Sequence, residues 1–202
     1  MQKKKIGIYG GTFNPPHVGH LGAARAFFDK MCLDKLIVIP SFIPPHKLAD
    51  NKTTAQQRVE MTRLAFFDFV GAEVSDIEIQ RGGKSYTYLT LEALSSEDCE
   101  LYMLIGTDMF LTLEEWHYPE RIFELATVCY VRRENDKELG IRIEERKKYY
   151  ETVYGARIFE IPLPVTELSS TDVREKVKNN TDVSDAVTES VLSYILSEGL
   201  YK

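Results

Sequence analysis

Residues 10–20, Gly10-Gly11-Thr12-Phe13-Asn14-Pro15-Pro16-His17-Val18-Gly19-His20, join an apolar run, Ile6-Gly7-Ile8-Tyr9, to a helix-like stretch, Leu21-Gly22-Ala23-Ala24-Arg25-Ala26-Phe27-Phe28. A strand that turns through two glycines into a helix commits the chain to an α/β unit. It also leaves the first backbone N–H groups of the helix unpaired and partially positive. Such a turn suits an anion, and adjacent glycines let a phosphate approach the main chain. His17 and His20 stand three apart in the first helical turn, so both side chains can point the same way. Two imidazoles at one anion site point to phosphate chemistry.

The common phosphate-loop fingerprints are absent, because no Lys followed by Ser or Thr closes the turn and no G-x-G-x-x-G is present. A His-x-x-His pair alone could equally cap a helix, form a surface pair or supply half a metal site. The glycines, the prolines and the preceding strand favour the phosphate reading. Zinc is the weaker alternative, since Cys32, Cys99 and Cys129 are scattered without the short spacing of a metal knuckle. Thr12-Phe13 with His17-Val18-Gly19-His20 behind a strand resembles the signature of the nucleotidyltransferases related in fold to class I aminoacyl-tRNA synthetases. In that superfamily paired histidines hold the phosphates of ATP or CTP.

At 202 residues the chain suits one well-buried domain spanning residues 1–202, including a C-terminal helical part at about 169–202. With 44% hydrophobic and 28% charged residues it reads as globular, not disordered. A net charge of −6 disfavours a broad grip on nucleic acid, so any polyanion bound should be small and held locally. The lysines at 3–5 resemble a signal-peptide start, but the apolar stretch behind them breaks at once into Gly-Gly-Thr. No run approaches a membrane span, and three separated cysteines fit a reducing compartment, with the cytoplasm as the expectation. A homo-oligomer is left open.

Short β-branched runs alternate with helical patterns, the mark of parallel strands joined by crossover helices. Strands are expected at Lys35–Pro40, Glu73–Ile79 (a weaker one), Leu101–Gly106, Ala126–Val131 and Arg157–Pro162. Residues 53–68 carry Val59, Met61, Leu64, Ala65 and Phe67 at near-helical spacing, and residues 183–196 carry Val183, Val187, Val191, Leu192 and Ile195. Arg132 to Tyr149 reads as an exposed loop and helix. The expected fold is a single-domain, Rossmann-like α/β structure, an open parallel sheet with helices on both faces. Ligands of such sheets bind at the carboxyl ends of the strands, which places residues 10–20 in the functional crevice.

Other strand ends carry further candidates. Pro40-Ser41-Phe42-Ile43-Pro44-Pro45-His46-Lys47 is stiffened by three prolines, which would hold Lys47 for a phosphate contact or form a plain rigid turn. Ser85-Tyr86-Thr87 follows Gly82-Gly83 at another expected helix start, where Ser85 or Thr87 could simply cap. Gly106-Thr107-Asp108 ends a buried strand, so the Asp108 carboxylate could reach ribose hydroxyls or a metal ion, or serve as an N-cap. Trp116, the only tryptophan, offers a flat platform for a heteroaromatic ring, or is simply packed. Ser169-Ser170-Thr171-Asp172-Val173-Arg174 has capping spacing from Ser169 to Asp172. A cation such as Arg174 near a helix start opposes the dipole unless an anion binds there, which points to a second phosphate site.

Taken in order along nearly the full chain, these segments resemble the bacterial nicotinate-nucleotide adenylyltransferases. The histidine and Ser-Ser-Thr motifs mark only the superfamily. Pro44-Pro45-His46-Lys47, Ser85-Tyr86-Thr87 and Trp116 point to the nicotinate branch. The family pattern often has Asp where this chain has Asn14, and Ile where it has Leu168. The loss of charge at Asn14 puts any metal role for that position in doubt.

The resemblance implies adenylyl transfer from Mg-ATP to nicotinate mononucleotide. It assigns His17, His20, Lys47 and Arg174 to phosphate charge, with Gly10, Gly11, Thr12, Phe13, Gly106, Asp108, Ser169, Ser170 and Thr171 on the ATP side. Lys47, Ser85, Tyr86, Thr87 and Trp116 fall on the mononucleotide side, with Trp116 stacking on the pyridine and main-chain N–H groups near Tyr86 and Thr87 accepting its carboxylate. Mg²⁺ is expected to travel with ATP without a dedicated protein cage. The alternatives are another adenylyl- or cytidylyltransferase of the superfamily, taking nicotinamide mononucleotide or phosphopantetheine, and a non-catalytic nucleotide sensor.

Overall fold

The computed structural model describes residues 3–44, 53–132, 136–163 and 168–202. Six strands, β1 (Lys4–Gly11), β2 (Lys35–Pro40), β3 (Ala72–Val74), β4 (Cys99–Gly106), β5 (Ala126–Val131) and β6 (Ile158–Ile161), form one sheet in the order β3-β2-β1-β4-β5-β6. β1, β4, β5 and β6 run parallel in continuous register, with Tyr9 opposite Leu104 and Gly106 opposite Val131. This is the doubly wound α/β arrangement expected from the alternation of apolar runs and helical patterns. Its helices are α1 (Val18–Met31), α2 (Ala55–Phe66), α3 (Ile77–Arg81), α4 (Thr87–Leu94), α5 (Thr107–Leu111), α6 (Pro119–Leu125), α7 (Lys137–Tyr154), α8 (Ser170–Lys178) and α9 (Glu189–Ser197), with a 3₁₀ turn at Leu113–Glu115.

The backbone clusters into two compact units. The first comprises residues 1–9, 23–36 and 86–166. Its core is built from Phe27, Leu36, Leu104, Phe110, Ile122, Val128, Tyr130 and Tyr150, all buried. β5 is buried along its whole length, as a strand covered on both faces should be. The second comprises residues 10–22, 37–85 and 167–202. There Phe13, Val38, Ile39, Val59, Met61, Phe66, Val173, Val191 and Ile195 are buried, and α2 packs on α9.

Three expectations change. The third strand ends at Val74, and residues 77–79, expected as its continuation, belong to the helix Ile77–Arg81. Ser75 accepts a hydrogen bond from the Ile77 N–H, and the Gln80 side chain and N–H bond to Asp76, so short polar side chains start a helix where apolar spacing suggested a strand. Phe67 is 86% exposed and its neighbour Phe66 is buried instead. α2 ends at Phe66, in phase with Val59 and Thr62, which leaves Phe67 beyond the buried stripe. Val183 and Val187 are buried, but from the turn before α9, which begins only after Thr188 accepts from the Val191 N–H.

Candidate active site

In the second unit the residues that follow β1 fold around Phe13. Its ring is buried and meets the edge of the His20 ring at a centroid distance of 5.1 Å. A Cβ on Gly11 would lie 2.8 Å from the Phe13 ring, whereas a Cβ on Gly10 would meet nothing within 4 Å. Gly11 therefore makes room for Phe13, and Gly10 is the glycine beside open space.

His17 accepts the first bonds of α1 at its carbonyl oxygen, from the N–H groups of His20 and Leu21. In return the His20 Nδ1 accepts from the His17 N–H at 3.1 Å. His20 thus takes the position where Glu or Gln closes a capping box. An accepting Nδ1 makes Nε2 the ring's N–H donor in the neutral imidazole. The two rings lie 3.7 Å apart between centroids, tilted by 32°. His17 is buried at 3% exposure beneath the half-buried His20. The sequence expectation of two rings on one face holds, with unequal access to solvent.

α8 meets the same loop. Ser169 and Asp172 form the capping box that their spacing suggested, and hydrogen bonds from the Ser169 side chain, then its backbone, hold the Asp172 carboxyl below its ordinary pKa. The Ser170 hydroxyl donates to the Pro15 carbonyl at 2.8 Å. Arg174 donates from Nη1 to the Asn14 carbonyl at 2.8 Å and from Nη2 to the Thr171 hydroxyl at 3.1 Å. Gly10 to Phe13, His17, His20 and Ser169 to Arg174 are therefore assembled in one unit from segments about 150 residues apart.

Two participants have no motif in the sequence. Tyr201, 8% exposed, donates its hydroxyl hydrogen to the Asn14 Oδ1 at 2.7 Å. Arg58, 5% exposed, donates to the carbonyls of Thr12 at 2.9 Å and Phe42 at 3.2 Å, and burial lowers its pKa. Nothing in the spacing of either residue marks a partner so distant along the chain. Tyr201→Phe removes the partner of a buried amide oxygen. The expected cost is about 1–2 kcal/mol, or roughly 3–6 °C in Tm for a chain of this size, read by calorimetry; an unchanged Tm contradicts it.

The first unit carries the other candidates. Tyr86 is the N-cap of α4, a helix with neither a side-chain cap nor an acidic residue in its first turn. Its leading N–H groups carry the partial positive charge of a helix start, which favours an anion. Ser85, the last residue of its own segment in the second unit, does not cap; its Oγ accepts from the Phe42 N–H at 2.8 Å. His117 stacks on Tyr86 at 4.5 Å and Tyr118 meets Tyr88 edge-on at 4.9 Å, which brings the turn holding half-buried Trp116 to the start of α4. Asp108 is exposed in the first turn of α5, whose N-cap is Gly106, so the capping alternative for Asp108 does not hold.

The expected exposed helix contributes here too. The buried Tyr150 of α7 donates to the Phe110 carbonyl at 3.0 Å and accepts from the Glu114 N–H, while Arg146 pairs with Glu114. α7 thus braces the turn between Asp108 and Trp116. Lys47 lies outside the described residues. Among the described residues no group of three or more His, Cys, Asp or Glu gathers as a cation cage, and no helix is long and apolar enough to cross a membrane.

A cytidylyltransferase-like family model matches residues 8–176, which include the histidine turn and α8 up to its last turn. A Clostridium botulinum (strain Alaska E43 / Type E3) protein named "Probable nicotinate-nucleotide adenylyltransferase" is 37% identical over 201 residues, 98% of each chain. A relative of the same name from Desulfatibacillum aliphaticivorans is 36% identical over 98% of this chain and 99% of its own. The chain belongs to the nicotinate-nucleotide adenylyltransferase family. Members of this family are nucleotidyltransferases, and so is this enzyme. The fold agrees. The Plasmodium falciparum nicotinic acid mononucleotide adenylyltransferase complexed with NaAD superposes with a TM-score of 0.74 at 17% identity, over 98% of this chain and 97% of that one. The same protein complexed with APC gives 0.73 at 16% identity, with the same coverage.

Proposed function

We propose that the enzyme transfers the adenylyl group of ATP to nicotinate mononucleotide, forming nicotinate adenine dinucleotide and pyrophosphate. The observation that carries the reading is His20, clamped through Nδ1 to the helix start so that Nε2 is left as a donor. An oxygen of the mononucleotide 5′-phosphate attacks the α-phosphorus of ATP in line. The new P–O bond forms as the bond to the β-phosphate bridge breaks, and the electron pair leaves with pyrophosphate. The nucleophile is already an anion, so no general base is required, and catalysis reduces to positioning and stabilisation of charge.

His20, over His17, donates to the ATP phosphates, beside the open main chain at Gly10. Arg174, with Lys47 read from the sequence, balances their remaining charge. Mg²⁺ enters with ATP and neutralises its phosphates. On the acceptor side, Trp116 stacks on the pyridine and the uncapped start of α4 takes the carboxylate, while on the ATP side Asp108 takes ribose hydroxyls. The names of the full-length relatives support this choice of acceptor.

The test is pyrophosphate release from Mg-ATP or Mg-CTP with the acid mononucleotide, the amide mononucleotide or phosphopantetheine. Turnover with ATP and the acid form, at least tenfold above every other pair, is expected. Preference for another acceptor, or no release with any, overturns the reading.

A further inference from the structure

The buried guanidinium of Arg58 ties together two segments that leave the sheet at different strands. Nη1 donates to the carbonyl of Thr12, in the turn after β1, and Nη2 donates to the carbonyl of Phe42, in the loop after β2. The Phe42 N–H donates in turn to the Ser85 Oγ at 2.8 Å, and the Ser85 N–H donates to the Ile43 carbonyl at 2.9 Å. Ile43 also bridges to Lys84 in parallel. One chain of hydrogen bonds therefore runs from the histidine turn, through Arg58, to the residue before the N-cap of α4. The Arg58 carbonyl is itself engaged by the Thr62 hydroxyl at 2.7 Å, and the helix carrying it opens with a full capping box at Thr54 and Gln57.

Arg58 is expensive to bury at 5% exposure if packing is its only task, because its neutral replacement would avoid desolvating a charge. A planar fork can hold two carbonyls in fixed relation, which a single ammonium cannot.

We propose that Arg58 is a positioning residue that sets the histidine turn and the Ser85 segment in one register, so that binding at one substrate site favours binding at the other. The proposal rests on the two-substrate reading above, without placing Arg58 in contact with either substrate.

The test compares Arg58→Met, Arg58→Lys, Ser85→Ala and the double variant Arg58→Lys/Ser85→Ala. Cooperative thermal unfolding is checked first. KM for each substrate is then read at low and at saturating concentration of the other, by pyrophosphate release. In the parent enzyme, saturation with one substrate should lower KM for the other severalfold, and in Arg58→Met that ratio should fall to one. kcat/KM for ATP should drop about thirtyfold in Arg58→Met and about tenfold in Arg58→Lys. In the double variant the losses should not multiply, since both residues belong to one hydrogen-bond chain.

Folded variants that keep the KM coupling and stay within twofold in kcat/KM overturn the proposal. So does a double variant whose losses simply multiply. If Arg58→Met does not fold, the Arg58→Lys and Ser85→Ala pair decides the question. If the parent uses a different acceptor, the functional reading fails and the same comparison is made with that acceptor, so the two failures are distinct.

Discussion

His20→Ala is expected to lower kcat by about a thousandfold, in line with loss of one donor aimed at charge that develops in a transition state. Two roles meet in this ring and can be separated. Through Nδ1 it accepts from the His17 N–H and completes the start of α1. In the proposed reaction it donates to the ATP phosphates through Nε2. Loss of the first role is a capping loss, about 1 kcal/mol, and should lower Tm by only a few degrees. Glutamine at this position supplies the capping-box acceptor without a rigid ring. His20→Gln should therefore regain the Tm of the parent and remain at least a hundredfold impaired in kcat. A folded His20→Ala enzyme within fivefold of the parent would remove this histidine from the chemistry.

Arg174→Ala should reduce kcat/KM for ATP by a factor of about 10² to 10³, the range for a lost preorganised donor to phosphoryl charge. Its fork holds the Asn14 carbonyl and the Thr171 hydroxyl, so it is already oriented across the histidine turn and α8. Ser170 tethers the same turn through the Pro15 carbonyl without bringing charge. Ser170→Ala therefore serves as the comparison, with an expected loss below tenfold. Arg174→Lys restores the charge but not the fork, and should recover only part of the loss. Equal losses in Arg174→Ala and Ser170→Ala would reduce Arg174 to a tether, and the assignment to phosphate charge would fall.

Much of the candidate site was legible because it is local in sequence. Gly10 to His20 is one strand-to-helix turn, and its chemistry is written in consecutive residues. The Ser169–Asp172 spacing announced a capping box that is present. The alternation of apolar runs placed β2 and β5 without a shift and β1, β4 and β6 within two residues. It failed at residues 75–79, where the Ser75 hydroxyl accepts from the Ile77 N–H and the Asp76 carboxylate accepts from the Gln80 side chain, and these bonds outweigh an apolar spacing that also fits a strand. It failed again at Phe67, one residue beyond the end of a helix whose buried face belongs to Phe66. Helix ends are decided by caps and packing, which period alone does not encode.

From the sequence alone came the α/β class, the strand-to-helix turn that carries the two histidines, and the family. Each depends on the order of neighbouring residues and on the periods of strand and helix. The fold decided what lies far apart along the chain: Arg58 on the carbonyls of Thr12 and Phe42, Tyr201 on Asn14, and His117 on Tyr86 beside the turn of Trp116. It also decided that Gly11 makes room for an aromatic ring while Gly10 stands by open space. Long-range partners are chosen by which buried donors and acceptors must be satisfied once the core closes. That requirement arises only in the folded chain.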